Sequence, residues 1–319
     1  MSALTSEPAP AGRAPAVTEP PDPPAANKPR KKDNRTAFLM LAPALILLTT
    51  FVLVPLVYAW FVSFQRWSFY EPSVFVGLRN FRMVLADPTF RESIVRGLTF
   101  SAICVPVILV IAFCFANLVK TMGARMATVL KVSIYIPTVI SGVIASIIFV
   151  LVYEYRQGLA NYLLSFLGVA DVPWLGSART ALYALTLPQI WLALGLASLI
   201  MLAGLLDIPE SYYESAELEG ANWFQRTVYI TIPLLKNIIL YLLVTTFVAT
   251  IQQYELPLVM TDGGPTQSTL LPNLLIFQRF TSDLYPGYSI AAALLLFLVL
   301  GGLSAVIFRL INSEKAVDG

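Results

Sequence analysis

The segment SYYESAELEGANWFQRTVYITIP occupies residues 211–233 and is the most polar stretch between two long apolar runs. Ser211 and Glu214 have the S-x-x-E spacing of a capping box, in which the serine oxygen accepts a hydrogen bond from a backbone N–H and the glutamate bonds back. This spacing predicts a short helix from about residue 212, which ends near Gly220 because glycine adopts positive φ at low cost. A further turn or two of helix over 221–230 then leads to Pro233, which suits the first turn of the next helix.

Apolar stretches lie on both sides of this segment. The chain is 57% hydrophobic and only 13% charged, with a mean hydropathy of +0.73. Soluble proteins have about a quarter of their residues charged, so the composition indicates a membrane protein. About 20 apolar residues suffice for a helix to cross roughly 30 Å of hydrocarbon. Six stretches meet this length, near residues 37–62, 97–119, 128–153, 181–206, 234–258 and 287–310. The sequence therefore predicts an all-α membrane protein with six transmembrane helices.

The distribution of Lys and Arg predicts the orientation of these helices. With the N-terminus inside, thirteen of the 21 basic residues fall on the cytoplasmic side and eight on the outer side. Positively charged loops stay in the cytoplasm, so both termini are expected there, and residues 207–232 become the one sizeable cytoplasmic loop. The basic run at 28–32 is interpreted as part of this topology signal, not as a nucleic-acid patch.

Three regions outside the apolar stretches have their own expectations. Residues 1–36 form a Pro/Ala-rich basic tail that buries too little apolar surface to fold, and residues 313–319 form a short C-terminal tail. A six-helix transmembrane domain is expected over 37–312. Loops near 154–180 and 259–286 contain Gly and Pro at turn positions and are expected to be compact caps. Cys104 and Cys114 share one helix, about 15 Å apart along its axis, so they are not expected to form a disulfide.

The loop segment resembles a known signature. Glu214-Ser215-Ala216, then Gly220, then Ile230-x-Ile232-Pro233 is similar to the "E-A-A, three residues, G, nine residues, I-x-L-P" pattern of ABC-importer permeases, with every spacing kept. The departures are Ser215 for Ala, Ile232 for Leu, Glu219 where sugar permeases usually have Asp, and Asn237 where many have Pro. Other matches to the maltose-type carbohydrate permeases lie at residues 75–81, 203–205, 208–210, 261–265 and 287–288, and the resemblance runs from about 37 to 312.

The resemblance implies the type I ABC-importer permease fold and an ATP-driven, binding-protein-dependent sugar importer in a bacterial plasma membrane. In this family the loop helix inserts into a cleft on a cytoplasmic ATPase. The coupling residues carried over are Glu214, Ser215, Ala216, Glu219, Gly220, Ile230 and Pro233. The partners implied are a second homologous permease, two ATPase subunits that bind ATP and Mg, an extracytoplasmic solute-binding protein and a sugar. No catalytic residue and no cofactor are expected in this chain, and no nucleic-acid partner.

The substrate path is less legible in the sequence. Polar groups inside a span need a partner or a watery cavity. Gln252, Gln253 and Tyr254 lie near the outer end of the fifth stretch, where sugar permeases carry amide side chains that touch the sugar, and Trp191 on the fourth stretch is a further candidate. Hydrogen bonding between helices is an equally good explanation of these residues.

Other functions remain open as alternatives. An ion-coupled transporter needs buried acids, His or broken helices at mid-membrane, and this chain has no His, while Glu154 and Glu255 are expected near outer helix ends. A membrane enzyme is disfavoured because Ser-His and His-metal sites are excluded. The sequence contains no G-x-x-x-x-G-K-[ST] motif, the pattern of a nucleotide-binding loop. Within the importer class, glycerol phosphate is an alternative to a neutral sugar, although the spans offer little Arg or Lys for a phosphate.

Overall fold

The computed structural model describes residues 34–67, 72–282 and 286–312. Residues 1–33 of the predicted N-terminal tail, the basic run at 28–32 included, and the predicted C-terminal tail at 313–319 lie outside the described residues. The chain divides into two compact units, and the boundary follows Pro55.

The described residues are mostly helical. A two-stranded antiparallel ribbon joins β1 (Gln65–Arg66) to β2 (Val74–Phe75). Two five-residue π-helical segments occupy Thr49–Leu53 and Thr227–Thr231. The α-helices are α1 (Asn34–Leu48), α2 (Val54–Ser63), α3 (Arg79–Ala86), α4 (Pro88–Lys120), α5 (Ala124–Val139), α6 (Gly142–Val152), α7 (Leu159–Ser165), α8 (Ala181–Ala184), α9 (Thr186–Leu206), α10 (Ser211–Leu218), α11 (Trp223–Arg226), α12 (Ile232–Leu234), α13 (Lys236–Ile251), α14 (Glu255–Thr261), α15 (Pro272–Ser282) and α16 (Gly287–Asn312).

Helices long and apolar enough to cross a membrane correspond to the predicted stretches. Five such helices occur within the described residues, and a bent pair of helices makes a sixth candidate span. The five are Leu39–Ser63, Pro88–Lys120, Ala181–Leu206, Lys236–Thr261 and Gly287–Arg309, and the pair is Ala124–Val139 with Gly142–Val152. The predicted all-α membrane fold is confirmed, and the largest difference from the predicted spans is in the third.

The third stretch, expected as one helix over 128–153, is broken. Its two halves, α5 and α6, meet at an angle of 97°. Pro137 lies in the last turn of α5, and Ile140 is extended, with φ −75° and ψ 134°. The Ser141 hydroxyl then accepts a hydrogen bond from the backbone N–H of Val143 at 3.2 Å and starts α6 as a new helix. A proline that donates no hydrogen bond, followed by a good N-cap, explains the break.

The second span is longer than expected because it begins at a cap outside the apolar run. Asp87 accepts a hydrogen bond from the backbone N–H of Thr89 at 2.8 Å, and Pro88 occupies the first turn of α4. Both features favour a helix start, so α4 begins nine residues before the predicted boundary at 97. The hydroxyl of Tyr288 at the start of α16 donates to the same carboxylate at 2.7 Å.

Small residues let α4, α5 and α9 pack closely in the core of the second unit. Ala112 and Ala116 of α4 are fully buried. A Cβ added to Gly195 of α9 would lie 2.7 Å from the carbonyl oxygen of Ile134 in α5, so the two backbones touch there. Close approach of this kind is typical of helix pairs in membranes. The large side chains that complete this core include Phe100, Ile108, Leu185, Met201, Leu205, Leu235 and Leu271.

The fifth span is interrupted near its predicted outer end. Helix α13 ends at Ile251, and α14 begins at Glu255, so residues 252–254 form a break inside the predicted stretch. The loop expected over 259–286 is not only turns, because it contains the eleven-residue helix α15. The loop expected at 154–180 is compact. Asn161 donates to the carbonyl oxygens of Tyr155 and Val172 at 2.9 and 3.0 Å.

Candidate functional site

The loop helix forms where the sequence predicts it, but not by the predicted cap. Helix α10 covers Ser211–Leu218, and its N-cap residue is Glu210, which makes no side-chain capping bond. Glu210 already has helical φ and ψ of −61° and −29°. Ser211 is therefore inside the helix and not in the extended conformation from which a hydroxyl reaches the third amide. The capping box predicted for Ser211 and Glu214 is wrong.

The C-terminal end of α10 agrees with the sequence. Gly220 has φ +81°, a left-handed conformation that costs glycine little. The N–H of Ala221 donates to the carbonyl oxygen of Ala216 at 2.9 Å, and the N–H of Gly220 donates to that of Glu217 at 3.0 Å. These two bonds make a Schellman motif, which satisfies the last carbonyl groups of the helix and turns the chain.

A capping box does exist one turn further on. The Asn222 side chain accepts from the N–H of Gln225, and the Gln225 side chain accepts from the N–H of Asn222, both at 2.9 Å. The spacing N-x-x-Q in the sequence is the signal for this cap. Helix α11 therefore starts directly after the turn at Gly220, and the π-helical segment and α12 carry the chain into the fifth span. Pro233 lies in the first turn of α12, a three-residue segment that precedes the fifth span instead of starting it.

The surface of the loop is open and partly concave. No residue of α10 is buried. Ala216, Gly220 and Tyr229 help to line a concavity of about 400 Å³ between α10 and the helices that follow. Arg226 at its edge pairs with Glu217 at 3.2 Å. Several large apolar side chains around it are exposed, Leu218 by 91%. An exposed apolar patch outside the spans is typical of a protein-binding surface.

The predicted coupling residues do not all lie on this concavity. Ala216, Glu219, Gly220 and Ile230 line it, together with Ala221, Gln225, Arg226 and Tyr229. Glu214 and Ser215 are exposed elsewhere on α10, and Pro233 is exposed on α12.

Polar contacts join α10 to two other helices of the second unit. The Lys120 ammonium at the end of α4 lies 3.3 Å from the Glu210 carboxylate and 4.3 Å from the centre of the Tyr213 ring. The Tyr213 hydroxyl lies 3.0 Å from the hydroxyl of Thr231, in the π-helical segment before α12. Sequence reasoning missed Lys120 and Tyr213, because no local pattern connects residues 93 positions apart.

A buried polar cluster, which we call the amide cluster, joins the break of the fifth span to α9. The Gln253 amide donates to the Gln189 side-chain oxygen at 3.0 Å, and the Gln189 amide in turn lies 3.5 Å from the Thr250 hydroxyl. The Gln253 oxygen accepts from the backbone N–H of Glu255 at 3.0 Å, so it also starts α14. Gln189 is only 6% exposed and Thr250 is fully buried.

Of the four predicted path residues, Gln253 alone belongs to this cluster. Gln252 is exposed, and its carbonyl oxygen accepts from the Asn273 side chain at 2.9 Å. The Tyr254 ring packs on Phe277, with ring centres 5.5 Å apart. Trp191 packs edge-on against Phe149 in the core, at 5.7 Å.

A cavity of about 290 Å³ lies beside the amide cluster, between α5, α9 and α13. Its lining residues include Thr138, Thr245, Thr246, Thr250 and Gln189. The rest of the wall is apolar, from Leu192, Ala193, Leu196, Ala197, Ile200, Tyr241, Leu242 and Ala249. Sequence reasoning missed Gln189 and the threonines as path residues. The signal available was the run Thr245-Thr246 with Thr250 one turn later.

Glu255, at the start of α14, lies against the break of the third span. A Cβ added to Gly142 at the start of α6 would fall on the Glu255 carboxylate. The two broken spans therefore meet at their breaks. In the part of the chain that the structure describes, no three His, Cys, Asp or Glu side chains could hold a metal ion. Cys104 is buried, Cys114 is exposed, and both are free thiols, as the sequence predicts.

Comparison with known proteins identifies relatives that match most of the chain. Residues 83–316 match the family described as "Binding-protein-dependent transport system inner membrane component". The trehalose/maltose transport system permease protein MalF of Thermococcus litoralis is 31% identical over 86% of this chain and 92% of its own length. The sulfoquinovosyl glycerol transport system permease protein SmoG of Agrobacterium fabrum is 33% identical over 88% and 92%. The arabinooligosaccharides permease AraP of Bacillus subtilis is 28% identical over 87% and 89%.

A solved structure has the same fold. It is that of a bacterial ABC transporter that imports the acidic polysaccharide alginate, and one of its chains superposes with a TM-score of 0.74. The superposition covers 89% of this chain and 97% of that chain, at 21% sequence identity. The predicted type I importer permease fold is confirmed.

Proposed function

Because this chain belongs to the family of binding-protein-dependent transport system inner-membrane components, we propose that it is the permease subunit of an ATP-driven sugar importer, where it forms half of the translocation path. The match covers most of the chain, and two relatives above 30% identity bear names of sugar or glycoside transport systems. The exposed loop helix, which ends in a left-handed glycine at the position of the family signature, carries the proposal.

The loop over residues 207–232, which we call the coupling loop, is the surface that we assign to the ATPase. Its backbone groups are satisfied internally by the Schellman motif at Gly220 and the capping box at Asn222, so it is a rigid shape. Its apolar side chains are exposed beyond the spans, where lipid does not cover them on the predicted topology. A separate subunit that binds ATP and Mg supplies the energy, because no nucleotide motif occurs in this chain.

The remaining partners follow from the family and the predicted topology. A solute-binding protein outside the cell delivers the sugar, a second homologous permease completes the path, and two ATPase subunits bind the coupling loops inside. The chain is a multi-pass protein of a bacterial plasma membrane, with both termini in the cytoplasm.

We assign the sugar path to the cavity beside the amide cluster. Amides and hydroxyls donate and accept hydrogen bonds, as sugar hydroxyls require, and the apolar part of the wall suits the carbon face of a ring. Gln189 and Gln253 are bonded to each other, so the cluster also braces α9 against the break. No Lys or Arg lines this cavity, which favours a neutral sugar over glycerol phosphate.

The first experiment measures ATPase activity of the complete importer in lipid, with the binding protein loaded with each of a panel of sugars or with glycerol phosphate. Stimulation by one loaded protein supports the proposal and identifies the substrate. An assembled complex that no loaded protein stimulates contradicts the sugar assignment. Failure of the chain to associate with any ATPase contradicts the importer function and favours ion-coupled transport.

A further inference from the structure

We propose that Lys120 is a positioning residue that locks the loop helix to the second span, so that motion of α10 is passed to α4. The inference rests on the proposed function, because it concerns how ATPase-driven motion enters the spans. Lys120 is the last residue of α4 and lies 90 residues before Glu210 in the chain. Nothing in the signature of the loop includes it.

The contacts of Lys120 fix its position from two directions. Its ammonium is 3.3 Å from the Glu210 carboxylate, just before α10, and 4.3 Å from the centre of the Tyr213 ring, one turn into α10. An ammonium over an aromatic face is attracted by the ring quadrupole, and the carboxylate holds it from the side. Lysine at the end of α4 also suits the negative end of that helix.

Tyr213 extends the contact between α4 and α10, which we call the joint, to the fifth span. Its ring contacts Lys120, while its hydroxyl lies 3.0 Å from Thr231 in the π-helical segment. The Thr231 hydroxyl also lies within 3.3 Å of the Arg226 carbonyl oxygen. A single side chain of α10 thus touches the end of the second span and the entry to the fifth.

The need for such a joint follows from the connections of the loop. The chain itself links α10 to α9 and to α12, so those helices are joined to the loop covalently. Helix α4 has no such link and can follow the loop only through packing or side-chain contacts. Lys120 supplies a direct contact between α4 and the loop helix. A ligand or ATPase can shift the spans only through contacts that differ between two states, and this joint is placed to carry that difference.

The joint positions α10 against α4 but contributes little to the free energy of folding. The Glu210 side chain is 67% exposed, and exposed ion pairs contribute little to stability. Tyr213 is half-buried. Its ring packs against the core, and this packing does not require the hydroxyl. Variants that loosen the joint are therefore expected to fold and to retain the ATPase-binding surface, since Lys120 does not line the concavity between α10 and α11.

The test uses the complete importer in proteoliposomes and measures sugar transported per ATP hydrolysed, together with the amount of ATPase that copurifies. Lys120→Met should lower this ratio at least fivefold, and Tyr213→Phe, which keeps the ring and removes only the hydroxyl, should lower it about twofold. Lys120→Arg keeps the charge and stacks on the ring, so it should restore at least half of the wild-type ratio. Copurification of the ATPase should not change.

Lys131→Met is the matched control, because Lys131 makes no ion pair within the described residues and lies on the neighbouring helix α5. The inference would be overturned by an unchanged ratio in Lys120→Met, by an equal loss of the ratio in Lys131→Met, or by loss of bound ATPase in Lys120→Met. If Lys120→Met does not assemble, Tyr213→Phe alone decides, and an unchanged ratio there rejects the joint. Failure of wild type to hydrolyse ATP in response to sugar would instead count against the proposed function.

Discussion

Polar side chains in the coupling loop face outward, whereas those at the break of the fifth span face one another. In the loop, Glu214 and Glu219 are exposed, and the lining of the concavity mixes small and apolar residues with polar and charged ones. At the break, Gln253 and Gln189 are bonded to each other, and Gln189 is almost fully buried. The two regions lie at the two ends of the same span.

This difference separates a surface that we assign to a partner protein from a site within the chain. An exposed charge remains hydrated, so it needs no bonding partner within the chain. A buried amide must be bonded, because an unsatisfied polar group inside a membrane is costly. Substitutions in the loop should therefore change function with little effect on stability, and substitutions around the amide cluster should change both.

The largest effect is expected for Glu214→Lys. The charge reversal places a cation on the surface assigned to the ATPase, and we expect sugar uptake to fall at least tenfold, roughly 1.4 kcal/mol or more of lost coupling. Thermal unfolding in detergent should stay unchanged, because Glu214 is exposed and makes no ion pair within the described residues. Asp171→Lys, in an exposed outer loop, is the control. Normal uptake by an assembled Glu214→Lys complex would show that this exposed face of the loop is not a functional surface.

Gly195→Ala should produce the largest loss of stability. The added Cβ would meet the Thr138 hydroxyl, the Ile134 carbonyl oxygen at 2.7 Å and the Tyr135 Cα at 2.9 Å. Helix α5 would have to move away from α9 beside the proposed sugar cavity, at a cost of about 1–3 kcal/mol in the free energy of unfolding.

Gly301→Ala in α16 serves as the control for that measurement. A Cβ at Gly301 has nothing within 4 Å, so alanine should be neutral or slightly stabilising in the helix. Equal unfolding temperatures for the two alanine variants would contradict the close approach of α5 and α9.

Gln253→Leu should affect both stability and transport. The substitution leaves the Gln189 oxygen without its donor, and we expect the free energy of unfolding to fall by about 0.5–1 kcal/mol. If the cavity holds the sugar, the KM for uptake should also rise several-fold. Thr245→Val, on the same cavity, is the matched test that leaves the amide cluster intact. A loss of stability without any change of KM in either variant would assign the cluster to helix bracing alone.

The smallest effect is expected at Asp87. Its carboxylate is half-buried, and so intermediate between the exposed charges of the loop and the buried amide of Gln189. Burial would raise its pKa, but hydrogen bonds from Tyr288 and Thr89 and the charge of Arg279 together hold the pKa below its usual 3.8. A lowered pKa stabilises the folded protein above pH 3.8, and the contribution is lost as the pH falls through the folded-state pKa.

Asp87→Asn should therefore unfold at a lower temperature than wild type at pH 7, and the difference should shrink when both are unfolded below pH 4. Asp171→Asn is the control at an exposed site. A difference between Asp87→Asn and wild type that is constant from pH 7 to pH 3 would show that the charge is not involved.

Patterns within about twenty residues predicted most of the fold. The apolar runs located every span, and the signature around Glu214 and Gly220 located the loop helix and its left-handed turn, because capping and turn preferences are local properties of the backbone. The break at Pro137 and Ser141 was missed inside an apolar run that is otherwise long enough for one helix. The predicted cap at Ser211 failed because the preceding residue already continued the helix.

The sequence by itself determined that the chain is a helical membrane protein and which loop carries the signature. Only the tertiary structure decided which polar residues meet. Gln189 and Gln253 are 64 positions apart, and Lys120 and Tyr213 are 93 apart, so no local spacing distinguishes them from other polar residues near helix ends. Their pairing depends on how α4, α9 and α13 pack, and that packing is set by small buried residues whose contacts become visible only when the helices are placed together.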